Sequence, residues 1–237
     1  MNTKAVLFDL DGTLLPLDQV IFVKTYFGLL AKRLSAIGYE PSALINSIWA
    51  GTEAMVKNDG SKTNEAVFWD KFASIFGEKS RDDIVYFSEF YEKDFDLVSS
   101  STGFSPLAKT VVSMVKSNGV RTILATNPIF PSVATKKRVV WAGLLPSDFE
   151  LITTYENSRH SKPNLQYYKD ILEQISLKPE ECIMVGNDVG EDMVASKLGM
   201  KVFLLTDHLI NKDGDDITKF PHGGFSELID FLSDAFK

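Results

Sequence analysis

Cysteine is nearly absent from this chain: Cys182 is the only one in 237 residues. No intrachain disulfide can form, and a reducing compartment is the natural setting. Cys182 stands in the apolar run Cys182-Ile183-Met184-Val185, where a buried small hydrophobe is expected rather than a reactive thiol. Histidine is scarce too, and His160, His208 and His222 have no metal-ligand spacing with one another or with Cys182. His160 reads as a surface residue. Basic charge is in deficit: 25 Lys and Arg against 32 Asp and Glu leave a net charge of −7, which speaks against a nucleic-acid backbone as partner. No apolar run approaches the ~20 residues that span a bilayer. Met1-Asn2-Thr3-Lys4 leads straight into a strand-like run without a signal-peptide layout, so a soluble cytoplasmic protein is expected. There is no Gly-x-x-x-x-Gly-Lys-Ser/Thr segment, and no Gly-x-Gly-x-x-Gly follows the first apolar run. A P-loop and a dinucleotide-binding fingerprint are thereby both missing.

What is present is 44% hydrophobic residues, enough for a sizeable core. Ala5–Phe8, Thr122–Ala125, Ile183–Val185 and Val202–Leu205 are short and continuously apolar, with a weaker run at Leu151–Thr153. Strands of a parallel sheet covered on both faces need that pattern. Helical patterns lie between them. One opens at Ser105-Pro106, carries Ala108, Val111, Val112 and Val115, and stops at Gly119; another begins near Pro163, and a third runs from near Gly190 to Gly199. The alternation predicts a doubly wound α/β parallel sheet with right-handed crossovers.

Residues 16–104 break that rhythm. Val20, Val23, Phe27, Leu30 and Leu34 predict one amphipathic helix, and Leu44, Ile48 and Met55 a second. Ala66, Phe68, Phe72, Ile75 and Phe76 predict a third, stopped by Gly77, and Ile84, Phe87, Phe90 and Tyr91 a fourth. This block reads as an α-helical cap domain inserted into a core made of residues 1–15 and 105–237. The polar stretch Lys57–Lys62 reads as a loop between cap helices. Lys57, Asn58 and Lys62 are candidates for specificity there.

In open α/β sheets ligands bind beyond the carboxyl ends of the strands. The first strand is followed by Asp9-Leu10-Asp11-Gly12-Thr13, the second by Thr126-Asn127-Pro128, and the fourth leads into Gly186-Asn187-Asp188-Val189-Gly190-Glu191-Asp192. Ser161-Lys162-Pro163 lies after the third. Asp9 and Asp11, two apart, can face one site while Leu10 points into the core. A carboxylate can attack phosphorus, and a second carboxyl can protonate the leaving oxygen and then activate water. Crowded anions would repel phosphate without a cation, and Mg²⁺ accepts carboxylate, carbonyl and phosphate oxygens. Asp188 adds a carboxylate. The Thr126 hydroxyl and the Asn127 backbone N–H suit phosphate oxygens, with Lys162 neutralising charge. Singly, each has a plain structural alternative: Gly12 a turn residue, Lys162 a solvated side chain, Asp188 a helix N-cap, Asp192 a first-turn acid. All of them in the right strand order point to a site.

At these residues the chain resembles the haloacid dehalogenase superfamily, in particular its phosphatase-like members with a helical cap. Asp9 through Leu14 match Asp-x-Asp-Gly-Thr-Leu, Thr126 the strand-ending hydroxyl residue, Lys162-Pro163 the Lys-Pro motif, and Gly186 through Asp192 the final acidic motif. The resemblance implies a Rossmann-like core, a small phosphorylated metabolite as substrate, and a Mg²⁺ cofactor. It implies Asp9 as nucleophile and metal ligand, and Asp11 as acid/base lending its backbone carbonyl to the metal. Asp188 would be the third ligand, and Asp192 would support the metal or Lys162. Asn187 stands where many relatives carry Asp, which leaves the division between Asp188 and Asp192 open. Family dehalogenases lack the second aspartate, so Asp11 favours phosphoryl chemistry. Phosphonate cleavage would need a cap lysine, and none of Lys24, Lys32, Lys57 and Lys62 stands out. A phosphomutase of the same family and a catalytically idle ligand-binding relative are the alternatives. The sequence is silent on oligomeric state. The run Asn211–Asp216 fails as a calcium loop, with Asp216 at the glycine position and His222 at the glutamate position, and reads as a solvated acidic loop.

Overall fold

The computed structural model describes residues 3–237; the expectation for Met1 and Asn2 lies outside the described residues. In chain order the elements are β1 (Ala5–Phe8), α1 (Gln19–Ser35), α2 (Pro41–Val56), α3 (Asn64–Phe76) and α4 (Ile84–Glu89). There follow α5 (Pro106–Ser117), β2 (Arg121–Leu124), α6 (Ser132–Trp141), β3 (Leu151–Ile152), α7 (Leu165–Gln174) and β4 (Cys182–Gly186). β5 (Lys201–Leu205), β6 (His222–Gly223) and α8 (Phe225–Ala235) close the chain.

The strands form one parallel sheet in the order β3-β2-β1-β4-β5-β6. β1, β4 and most of β2 and β5 are buried, as their unbroken apolar runs require. Alternate side chains feed two cores. Val6, Phe8, Ile183 and Val185 face a cluster shared with α1 to α6 and α8. Ala5, Leu7, Cys182 and Met184 face α7 and Met193. Burial pushes the Cys182 thiol up to about 12, as befits an inert core residue. β6 is too short and polar to be read from sequence. It exists because the Thr206 and Leu204 amides find carbonyls at Gly223 and Pro221.

α5 forms where expected. Ser105 accepts from the Leu107 amide, Pro106 takes the first helical position, and Gly119 exits with φ +72°. The helix expected near Pro163 begins at Leu165 with Asn164 as its cap, and the one expected from Gly190 is a 3₁₀ segment, Met193–Leu198, ended by Gly199. In α1 the buried stripe is Phe22, Tyr26, Phe27, Leu30 and Leu34, while Val20 is 77% exposed. Asp18 caps this helix, so Val20 lies in its open first turn. Ile75 and Ile84 also face solvent, because Trp69, Phe72 and Phe87 fill the interior between α3 and α4.

The helices from α1 to α4 leave and rejoin the sheet at adjacent points. Leu17 pairs antiparallel with Thr102, and the Gly103 amide donates to the Pro16 carbonyl at 2.6 Å. Among the described residues no helix is long and apolar enough to cross a membrane.

Candidate active site

Sheet order decides where the polar strand ends meet. The chain winds from β1 outward through β2 and β3, then returns to pair β4 with the other side of β1. The reversal opens a crevice at the carboxyl ends of β1 and β4. Asp9 sits at its base. The Asp9 amide continues the ladder to the Val185 carbonyl at 2.9 Å, while Leu10 is fully buried.

The next residues curl tightly, with the Gly12 amide donating to the Leu15 carbonyl and the Leu15 amide to the Leu10 carbonyl, each at 2.8 Å. Gly12 holds φ +83°, and a Cβ there would lie 2.4 Å from Asn187 Nδ2. That approach brings the turn after β1 against the turn after β4. The Thr13 hydroxyl lies between them, 3.2 Å from Asp9 Oδ2 and 3.0 Å from Asn187 Oδ1, with one proton to share. Asn187 is in turn held by its Nδ2 donating to the His208 carbonyl at 2.6 Å.

Lys162, 1% exposed, donates to Asp9 Oδ1 at 2.8 Å and to Asp192 Oδ1 at 2.6 Å. Burial works to lower its pKa, but the Asp192 and Asp9 carboxylates overcome it and hold the ammonium well above its ordinary value. Burial lifts the Asp192 carboxyl to about 7, against the pull of Lys162. Asp192 Oδ2 accepts from the Asp188 amide at 3.0 Å. Asp188 itself uses Oδ1 to accept from the Gly190 and Glu191 amides at 2.8 and 2.9 Å, so it does cap the turn after β4.

Thr126 is buried, and its carbonyl accepts from the Thr153 and Tyr167 hydroxyls at 2.7 and 2.9 Å, which anchors the β2 end. Asn127 Nδ2 donates to Glu191 Oε2 at 3.1 Å, while its buried Oδ1 has no hydrogen-bond partner among the described residues. All the candidates except the enclosed Lys162 line one cavity of about 360 Å³, which α1 and α2 wall on the far side.

Sequence reasoning missed Arg138. The run Lys136-Lys137-Arg138 looks like a solvated basic face, yet Arg138 is 1% exposed and Nη1 donates to Asp11 Oδ2. Its Cζ lies 4.4 Å from the centre of the Phe130 ring. A signal existed: Ala134, Thr135, Arg138 and Val139 form the buried face of α6 at helical spacing. Burial pushes the Asp11 carboxyl up; Arg138 opposes that rise and Asp9 reinforces it.

Three expectations for the loop at residues 57–62 need correction. Lys57 pairs with Glu53 and Lys62 with Asp70 on the surface, and neither lines the cavity. Asn58 is buried and donates to Asn64 Oδ1 at 2.9 Å. Asn64 donates to the Pro128 carbonyl and to Ser161 Oγ, both at 3.0 Å. The loop therefore ties the helical block to the segments carrying Thr126 and Lys162, because buried amides must find partners. His160, expected at the surface, is largely covered and lies 2.6 Å from Asp170 Oδ2.

A family model for haloacid dehalogenase-like hydrolases matches residues 3–198, from the first strand through the acidic motif. The chain belongs to that family. Among curated relatives, the pyrophosphatase PpaX of Bacillus mycoides is 24% identical over 85% of this chain and 82% of its own length. The glyceraldehyde 3-phosphate phosphatase of Methanothermobacter thermautotrophicus is 26% identical over 48% of this chain; the match spans half of that relative. A 2-haloacid dehalogenase from Pseudomonas syringae shares the fold with a TM-score of 0.64 at 15% identity, covering 98% of this chain and 99% of its own. Fold alone thus does not choose the chemistry within the haloacid dehalogenase-like hydrolases; the site residues must.

Proposed function

We propose that this chain is a Mg²⁺-dependent phosphatase that hydrolyses a small phosphate monoester through an aspartyl-phosphate on Asp9. The observation that carries the reading is Asp9 at the cavity base, its Oδ1 2.8 Å from the buried Lys162 ammonium, with the Asp11 carboxylate two residues on. The curated relatives, one named as a phosphatase and one as a pyrophosphatase, support the hydrolysis of a phosphate group.

An Asp9 oxygen attacks phosphorus as the ester P–O bond breaks, and Asp11 gives its proton to the departing alcohol oxygen. An upward-shifted Asp11 suits that role, since it must arrive protonated. Water then attacks the aspartyl-phosphate, Asp11 takes its proton, and inorganic phosphate leaves with Asp9 regenerated. Lys162 balances charge on Asp9, and Asp192 holds Lys162 in place. Thr126 and Asn127 hold phosphate oxygens.

The donor set fits a hard cation. Asp9, Asp188 and the Asp11 carbonyl supply only oxygens, and all three residues line the one cavity. Mg²⁺ bound there would neutralise the clustered carboxylates and the incoming phosphate. The adjacent exit and return at Pro16–Leu17 and Thr102–Gly103 support reading residues 16–104 as a cap over a core of 1–15 and 105–237.

Phosphate release from a panel of monoesters with MgCl₂ tests the assignment. Asp9→Asn should lower turnover by at least about 1,000-fold. Turnover within tenfold of the parent would overturn the nucleophile.

A further inference from the structure

We infer that the leaving group this site accepts is uncharged and apolar, with a flat ring as the best fit; the inference rests on the phosphatase reading. The wall of the cavity opposite Asp9 is built by Phe22, Val23, Tyr26 and Phe27 of α1 and by Trp49 and Val56 of α2. Its polar members, Gln19 and Thr52, are neutral. The Tyr26 hydroxyl is already engaged, 2.7 Å from that of Tyr91.

Among the described residues no cation stands on this wall. Lys162 is enclosed between Asp9 and Asp192, and Arg138 is buried against Asp11. Lys212 lines the cavity from the sheet side, on the exposed loop after β5, where its charge acts on Glu191. Five acidic residues share the lining: Asp9, Asp11, Asp188, Glu191 and Asp192. A second anionic group on the substrate would leave water for aromatic faces that repel negative charge, on a wall with no cation to receive it among the described residues. An apolar ring would meet the same surface favourably.

Trp49 marks where that ring belongs. It is 49% exposed, at the cavity, with Phe27 packed 5.4 Å away between ring centres. Phe22 and Phe130, both on the cavity lining, meet edge to face at 6.3 Å. A cavity of about 360 Å³ holds a phosphate and a one-ring leaving group.

The test compares benzyl phosphate with 2-phosphoglycolate, esters of primary alcohols whose leaving groups are aromatic and neutral in one and carboxylate-bearing in the other, using the full chain with MgCl₂. The kcat/KM for benzyl phosphate should be at least about 30-fold higher. Trp49→Ala should raise KM for benzyl phosphate about tenfold and move KM for ethyl phosphate far less. Thr52→Arg, which sets a cation into the wall, should shift the ratio toward 2-phosphoglycolate about tenfold or more. Equal or better use of 2-phosphoglycolate by the parent, or equal KM losses on both neutral esters in Trp49→Ala, would overturn the inference while leaving the phosphatase reading intact. No phosphate release from any of the three esters would overturn both.

Discussion

Arg138 grips Asp11 across 127 residues of chain, one donor from the buried face of α6 reaching one carboxylate at the end of β1. Arg138 Nε and Asp11 Oδ1 are both buried without a partner among the described residues, so the pair is incompletely satisfied. The side chain of Asp11 stays 25% exposed toward the cavity. This geometry steadies the carboxyl without sealing it.

Removing the arginine strands that carboxylate. Arg138→Met should cost about 3 kcal/mol in urea unfolding at pH 8, because Asp11 loses its one charged partner and must then either stay an unpaired anion or take up a proton at a cost. The double variant Asp11→Asn/Arg138→Met should recover most of that loss. A coupling below about 0.5 kcal/mol in the double-mutant cycle would show the pair to be energetically idle.

Lys162→Met leaves Asp9 and Asp192 facing one another without their shared cation. A destabilisation of about 3–5 kcal/mol is expected at pH 8. The sign of its pH dependence follows from Asp192, which burial already lifts to about 7 in the parent. Without the ammonium it rises further. A folded-state carboxyl above its unfolded value penalises the native state at high pH and releases that penalty as it protonates. The gap between variant and parent should therefore narrow as pH falls from about 8 to 5. A gap that widens on acidification would contradict the geometry.

Gly186 is required by closeness rather than by its backbone angles. A Cβ there would lie 2.1 Å from Asp192 Oδ2. Gly186→Ala must displace Asp192 and loosen Lys162 behind Asp9. We expect a loss of about 2–4 kcal/mol and at least a tenfold fall in kcat, measured by denaturation and phosphate release. Asp192→Asn should leave more stability than Gly186→Ala, since it fits the existing space.

Much of this molecule was legible beforehand because the signals are local. Continuous apolar runs marked β1, β2, β4 and β5, since strands covered on both faces have no polar side to show. Ser105-Pro106 and Gly119 bounded α5 because cap and φ requirements are met within a few residues. Asp9, Asp11, Thr126, Asn127, Asp188 and Asp192 do gather at one cavity, with Lys162 against Asp9 beneath it. Val20, Ile75 and Ile84 misled because a helix stripe gives spacing, while the phase of burial depends on what packs against it.

The sequence by itself determined a parallel α/β sheet and the inventory of acids, hydroxyl and lysine at its strand ends. Those follow from hydrophobic period and from backbone rules that act over a handful of residues. Only the tertiary structure decided that Lys162 bridges Asp9 and Asp192, that Arg138 holds Asp11, and that Asn58 and Asn64 clasp the core instead of lining the site. Each of those joins groups far apart in the chain. A charged or amide side chain withdrawn from water takes whatever partner the packing brings within reach, and sequence spacing does not encode that choice.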